Sequence, residues 1–202
     1  GAGSSSDVWN NIFYCDDSVP LTRGIVLNTG AYMNAYNNTV YGCNKGLSFP
    51  GTSGNFRAKN NILVNNAEDI DDVGGRLFTA DSGYNVTEDG TCATQTGATC
   101  PGTHITGVPV FVDASNSEFR ISSGDTIAEG PCTDLYSDTY ISFNDDIAGI
   151  TRSGVWDVGA STPIVTQIFR SVGPGNTSSI GNTATVDIKD SVITFSAAQP
   201  DN

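Results

Sequence analysis

The chain has 202 residues, with 22 acidic against nine basic side chains and a net charge of −13. A nucleic-acid partner would need a basic stripe to neutralise phosphates, and an anionic membrane surface would repel so acidic a protein. No window approaches the run of apolar residues that a membrane-spanning helix requires, so neither nucleic-acid binding nor membrane insertion is expected. Gly, Asn, Thr and Ser are abundant and Lys and Glu scarce, which favours turns and strands over helices. The opening stretch GAGSSSDVWNNIFYC has no basic region and no long apolar run, so it is not a secretion signal.

In chain order, one phrase recurs. Asn10–Asn11 opens NNIFYC, Asn37–Asn38 opens NNTVYGC and Asn60–Asn61 opens NNILVNN. Tyr84–Asn85 opens YNVTEDG, a degenerate copy. The second residues, Asn11, Asn38, Asn61 and Asn85, are 27, 23 and 24 apart, each preceded by a short alternating run and followed by apolar or β-branched residues. A period in the twenties built of strand-like pieces marks a solenoid. Leucine-rich repeats are set aside, because Leu is rare and no helical period is sustained. A parallel β-helix fits, with each coil adding a rung of about 4.8 Å.

In such a coil the same corner recurs in every rung. Asn tolerates the left-handed backbone of a tight corner, and its amide both donates and accepts. Asn11, Asn38, Asn61 and Asn85 are therefore expected to stack as a ladder, as in cross-β stacks. Ile12/Phe13, Val40, Ile62/Leu63 and Val86 would then point inward in layers. Cys15 and Cys43 would share nearly one column, as buried thiols or as a disulfide between rungs. The bland alternative is that the NN pairs are ordinary turn residues of an Asn-rich β protein.

The five cysteines leave one without an intrachain partner. Cys92 and Cys100 bracket a small polar loop where a local disulfide is plausible. Asn37, Asn85 and Asn176 sit in glycosylation triplets that arise readily by chance in this composition. Asp69, Asp71 and Asp72, near Arg76, are the best calcium candidates, with Asp16–Asp17 and Asp145–Asp146 behind them. A solvated acidic turn is the competing reading, since no ligand-spaced calcium loop is present. His104 is the sole histidine and sits in a loop sequence, GTHITG, so neither a nucleophile triad nor a zinc site is expected. Trp9, Tyr14, Tyr32, Tyr36 and Tyr41 crowd the first rungs, as a sugar-stacking stripe or as core filling.

From Val108 the text changes to VPVFVDASNSEFRISSGDTIAEG and later DDIAGITRSGVWDVGAS. With Phe111–Asp113, Glu118–Ile121, Gly124, Ile127 and Gly130, then Asp146, Gly149, Arg152 and Asp157–Ala160, this resembles the C-terminal end of right-handed parallel β-helix surface proteins. These belong to the pectate-lyase-like superfamily, of the polymorphic-outer-membrane and choice-of-anchor types. Asp125–Thr126 departs from their small-residue–Pro pair, Ala148–Gly149 from their Asp-Gly, and GAST from their closing aromatic. The resemblance covers roughly Ser6 to Ala160 and implies a fold and a surface location but no catalytic residues. It implies a solenoid cap, for which Arg120 and Arg152 amid Asp113 and Asp157 read as the salt-bridged core. Lyases of this fold need calcium-binding acids and a basic residue on one face, which again points to Asp69, Asp71, Asp72 and Arg76.

After Ala160 alternating stretches at Ile164–Phe169, Ala184–Ile188 and Val192–Phe195 read as strands split by Gly, Pro and Asn turns. The expected organisation is all-β: rungs over 1–107, final rungs and cap over 108–161, and a β-rich tail over 162–202. The tail would open a further module or pair with a neighbouring subunit. The expected function is a non-enzymatic extracellular or cell-surface structural protein that self-assembles through strand contacts, with calcium as glue. The alternatives are a carbohydrate-active β-helix enzyme and a virion appendage that binds glycans.

Overall fold

The computed structural model describes residues 5–15, 19–26, 31–50, 54–71, 78–88, 103–130 and 132–163. Among these the fold is all-β, a parallel β-solenoid of about three turns. Each turn contributes one strand to each of three parallel sheets. The first turn runs β1 (Ser5–Trp9), β2 (Ile12–Tyr14) and β3 (Arg23–Val26). The second runs β4 (Ala31–Tyr36), β5 (Thr39–Tyr41) and β6 (Lys45–Ser48), and the third β7 (Gly54–Lys59), β8 (Ile62–Val64) and β9 (Glu68–Asp71). The sheets are therefore β1-β4-β7, β2-β5-β8 and β3-β6-β9. The second sheet continues through β10 (Val86–Thr87) and β11 (Ile105–Thr106), while Phe78 and Gly83 bridge onto β7.

The register stacks like on like. Ile25, Leu47 and Ile70 form one interior column and Phe13, Val40 and Leu63 another. Phe49, Phe56 and Phe78 meet edge to face, with ring centroids 4.4–6.0 Å apart, and close the interior at the third corner. Not every apolar residue of the repeat faces this core. Ile62 and Val86, expected inside, project from the other side of the second sheet into a separate apolar cluster. A strand buried on both faces must be apolar at every position, which is why NNILV shows a run and not an alternation.

That second cluster exists because residues 108–163 return along the flank of the coil. The antiparallel pair β12 (Phe111–Asp113) and β13 (Glu118–Ile121) is joined by a 3₁₀ turn over Ala114–Asn116. It lays Phe111 and Phe119 on Tyr41, and Phe119 on Tyr14. Ile121, Ala128 and Val158 then cover Ile62, Val64 and Val86. Leu135, Ile141 and Trp156 cover Tyr36, and Phe143 reaches Trp9 in the first turn. The segment read as a closing cap thus lies beside the turns of the coil. The stretch after Thr162–Pro163, with its three anticipated tail strands, lies outside the described residues, as do Asp16–Asp17, Asp72, Arg76, Cys92 and Cys100.

Candidate functional site

Each asparagine pair divides its labour. The first residue takes the left-handed conformation, with φ of 53° at Asn10, 49° at Asn37 and 57° at Asn60, and Tyr84 does the same at 56°. The second residue forms a ladder. Asn38 Oδ1 accepts from the backbone N–H and Nδ2 of Asn11 at 3.1 and 3.2 Å. Asn61 Oδ1 accepts the same pair from Asn38 at 3.0 Å, and Asn85 Oδ1 from Asn61 at 3.1 and 2.8 Å. Each Nδ2 also donates to a carbonyl of the preceding turn, Asn38 to Val8, Asn61 to Ala35 and Asn85 to Ala58.

The first residues point outward and hold the flank. Asn10 Nδ2 donates to Asp145 O, Asn37 Nδ2 to Asp157 O and Gly159 O, and Asn60 Nδ2 to Thr133 O. The contact is close enough that a Cβ on Gly159, whose φ is +90°, would lie 2.5 Å from Ile62 Cδ1. Two of the glycosylation triplets fall here. Asn37 and Asn85 are both buried with their amides bonded, so neither offers an acceptor on the folded surface. Asn176 lies outside the described residues.

The anticipated cap residues serve two different local sets of contacts. Arg120 Nε pairs with Glu118 at 2.7 Å, and Asp113 accepts Ser115 Oγ and Asn116 Nδ2. Arg152 is buried and spends its N–H groups on carbonyls, Asp145 O at 3.3 Å, Asp157 O at 3.0 Å and Gly159 O at 2.9 Å. The Asp157 carboxyl accepts Gly130 N–H, and burial leaves it above the ordinary aspartate range despite that bond and the nearby Arg152 charge. The buried Asp146 carboxylate ties its own loop, accepting from Ala148, Ile150 and Thr162. Backbone donors occupy these acids, which is a framework role.

Of the calcium candidates, Asp69 accepts from Asn66 Nδ2 and from Glu88 N–H, and Asp71 from Ser48 Oγ with Lys45 Nζ at 3.7 Å. Lys45 also pairs with Glu68. Among the described residues no group of three or more His, Cys, Asp or Glu side chains gathers as a metal site. His104 Nε2 meets Thr87 Oγ1 at 2.7 Å. Cys15 and Cys43 form a disulfide between the first two turns, and Cys132 is a free thiol pushed well up by burial. A cleft of about 260 Å³ beside that disulfide is lined by Val19, Pro20, Thr22, Asn44, Asn65 and Ala67, and its described lining carries no charge. No described helix is long and apolar enough to cross a membrane.

Among the described residues, a cluster of charged and amide side chains lies on the outer face of the first sheet. Asp7, Asn34, Arg57 and Asp81 form one column. Asn34 Nδ2 donates to Asp7 at 2.7 Å, and Arg57 donates to Asn34 at 2.9 Å and to Asp81 at 3.1 Å. Arg57 lies 3.4 Å from the centre of the Tyr140 ring. Lys59 Nζ meets Asp138 Oδ2 at 2.6 Å and Asp81 at 3.3 Å, over the ring of Tyr36. Burial pushes Asp138 and Asp81 up, but hydrogen bonds outweigh it: from Lys59, Tyr140 and Ile141 to Asp138, and from Thr79 and Arg57 to Asp81. With the Lys59 charge they hold both carboxyls below their usual range. Burial and then the Asp138 charge hold the Tyr36 phenol far above its own. Glycoside cleavage needs one carboxyl kept protonated, and neither aspartate is so placed.

Sequence reading missed this cluster, although a signal was present. Positions 7, 34, 57 and 81 stand four residues before the ladder positions in every repeat. Asp138, from the flank, carries no such mark. No protein-family model matches the chain, and no curated protein and no solved structure matches it.

Proposed function

We propose that this chain is a structural or adhesive module of an extracellular assembly, joined to its neighbours through strand edges. The observation that carries this reading is the open face of the first turn. Among the described residues β1, β2 and β3 each have a partner on one side only. Val8, Phe13 and Cys15 of this turn pack half-buried against the core. An unpaired set of parallel edges over an apolar end is a template for another rung. A second copy, or a tandem module such as 162–202 would begin, supplies that rung. The disulfide supports an oxidising, extracellular setting. The phrases from Phe111 to Ala160 support kinship with pectate-lyase-like surface proteins.

Electron microscopy of the full chain tests the reading. Subunits stacked along the coil axis are expected, dispersed by Phe13→Lys; a calcium chelator shows whether acidic neighbours need the ion. Isolated particles at all concentrations contradict it. A second reading draws on Trp9, Tyr32 and Tyr140, which are exposed beside the polar column of the first sheet. Exposed rings next to amide and charged groups suit glycans, whether on a cell surface, on a virion or in a carbohydrate-active enzyme. Retention on a polysaccharide column, lost in Tyr32→Ala, would favour it.

A further inference from the structure

We propose that Lys59 and Asp138 condense into an intramolecular amide that bolts the flank segment to the coil. The two side chains are 79 residues apart in sequence, 10% and 7% exposed, with Nζ 2.6 Å from Oδ2. The surroundings give each group a distinct part. Asp138 Oδ1 accepts the backbone N–H groups of Tyr140 at 2.9 Å and Ile141 at 3.2 Å. Two backbone donors on one carboxyl oxygen are the arrangement that stabilises charge developing during attack at that carbon. Asp81, 3.3 Å from Nζ, is the proton acceptor. Arg57 Nε reaches both Asp81 oxygens, at 3.0 and 3.1 Å, and so holds Asp81 in place beside the pair.

The step balances without a co-reactant. Within the pair one proton passes from Nζ to Asp138 Oδ2, so that an amine faces a carboxylic acid; Nζ then attacks Cγ of Asp138 while Asp81 takes a second proton and hands it on to Oδ2. The Nζ–Cγ bond forms, the Cγ–Oδ2 bond breaks, and Oδ2 leaves as water, carrying the two protons that the ammonium gives up. Asp81 ends unchanged. Such a condensation is unfavourable between separate molecules in water, and the fixed geometry offsets this by making it intramolecular. A covalent tie here resists pulling on the flank, whether or not the module assembles as proposed above.

Intact mass spectrometry of the purified full chain is the test, followed by fragmentation to locate any link. The expected mass is lower by one water molecule than the sequence with its disulfide requires, with the Lys59 and Asp138 peptides joined. Lys59→Arg and Asp81→Asn, each checked for native circular dichroism, are expected to show the full mass. A wild-type chain of full mass with separate Lys59 and Asp138 peptides overturns the proposal and leaves a buried ion pair. A link that persists in Asp81→Asn overturns the part given to Asp81.

Discussion

Asn61 is fully buried, and its amide serves three neighbours: it donates to Asn85 Oδ1 and Ala35 O and accepts from Asn38. Asn61→Ala strands the Asn38 donors and the Ala35 carbonyl away from water, each costing about 1–3 kcal/mol. The expected loss is about 3 kcal/mol in chemical denaturation. Asn11→Ala, at the half-exposed end of the same ladder, should cost about 1 kcal/mol or less. Equal losses would mean that the ladder is not the source. Two aspartates should respond to pH with opposite signs. Asp81 lies below its usual range, so its stabilisation is full above the unfolded value of about 3.9 and is lost as pH falls through the folded one. Asp157 lies above its range, so ionising it costs stability as pH rises through the folded value. Denaturant melts across pH should show the deficit of Asp81→Asn shrinking toward acid by the part that its charge contributes, while any gain of Asp157→Asn grows toward neutrality.

At the scale of elements, the flank is held by apolar contact as well as by the outer asparagines. Trp156 packs with Tyr36, Leu135 and Ile141. Trp156→Ala should cost about 3–5 kcal/mol, and limited proteolysis should then cut first within 132–163. A cut within the coil instead would show that the flank does not depend on this contact. The Cys15–Cys43 bridge spans 28 residues. Removing it by Cys15→Ser with Cys43→Ser should cost about 3.6 kcal/mol on loop-entropy grounds. The coil itself was legible because its repeat obeys a backbone constraint: a left-handed corner in every turn, marked by Asn10, Asn37 and Asn60. The column Asp7–Asn34–Arg57–Asp81 was legible in principle from the same period. The flank was not. Asp138, Trp156 and Gly159 meet the coil through contacts some 80 to 120 residues away, as with Lys59–Asp138 and Asn37–Gly159, and no local pattern encodes such a meeting. The second-sheet strands betrayed it only by being apolar on both faces.

For the whole molecule, the assembly proposed above would draw on the same kinds of contact that hold the coil together. Among the described residues the second turn has strand partners on both sides in all three sheets, while the strands of the first turn, and β9, have a partner on one side only. Ladder bonds and stacked columns such as Ile25, Leu47 and Ile70 propagate along the coil, so a further turn in register would extend both. A net charge of −13 would oppose the proposed association at low salt, so stacking is expected to strengthen as ionic strength rises. The most direct measurement is amide hydrogen exchange on the full chain at low and high protein concentration. Protection is expected to rise in Ser5–Trp9, Ile12–Tyr14 and Arg23–Val26 with concentration, while β4, β5 and β6 of the two-sided second turn stay constant. Unchanged exchange in the first turn at every concentration would contradict assembly through this face.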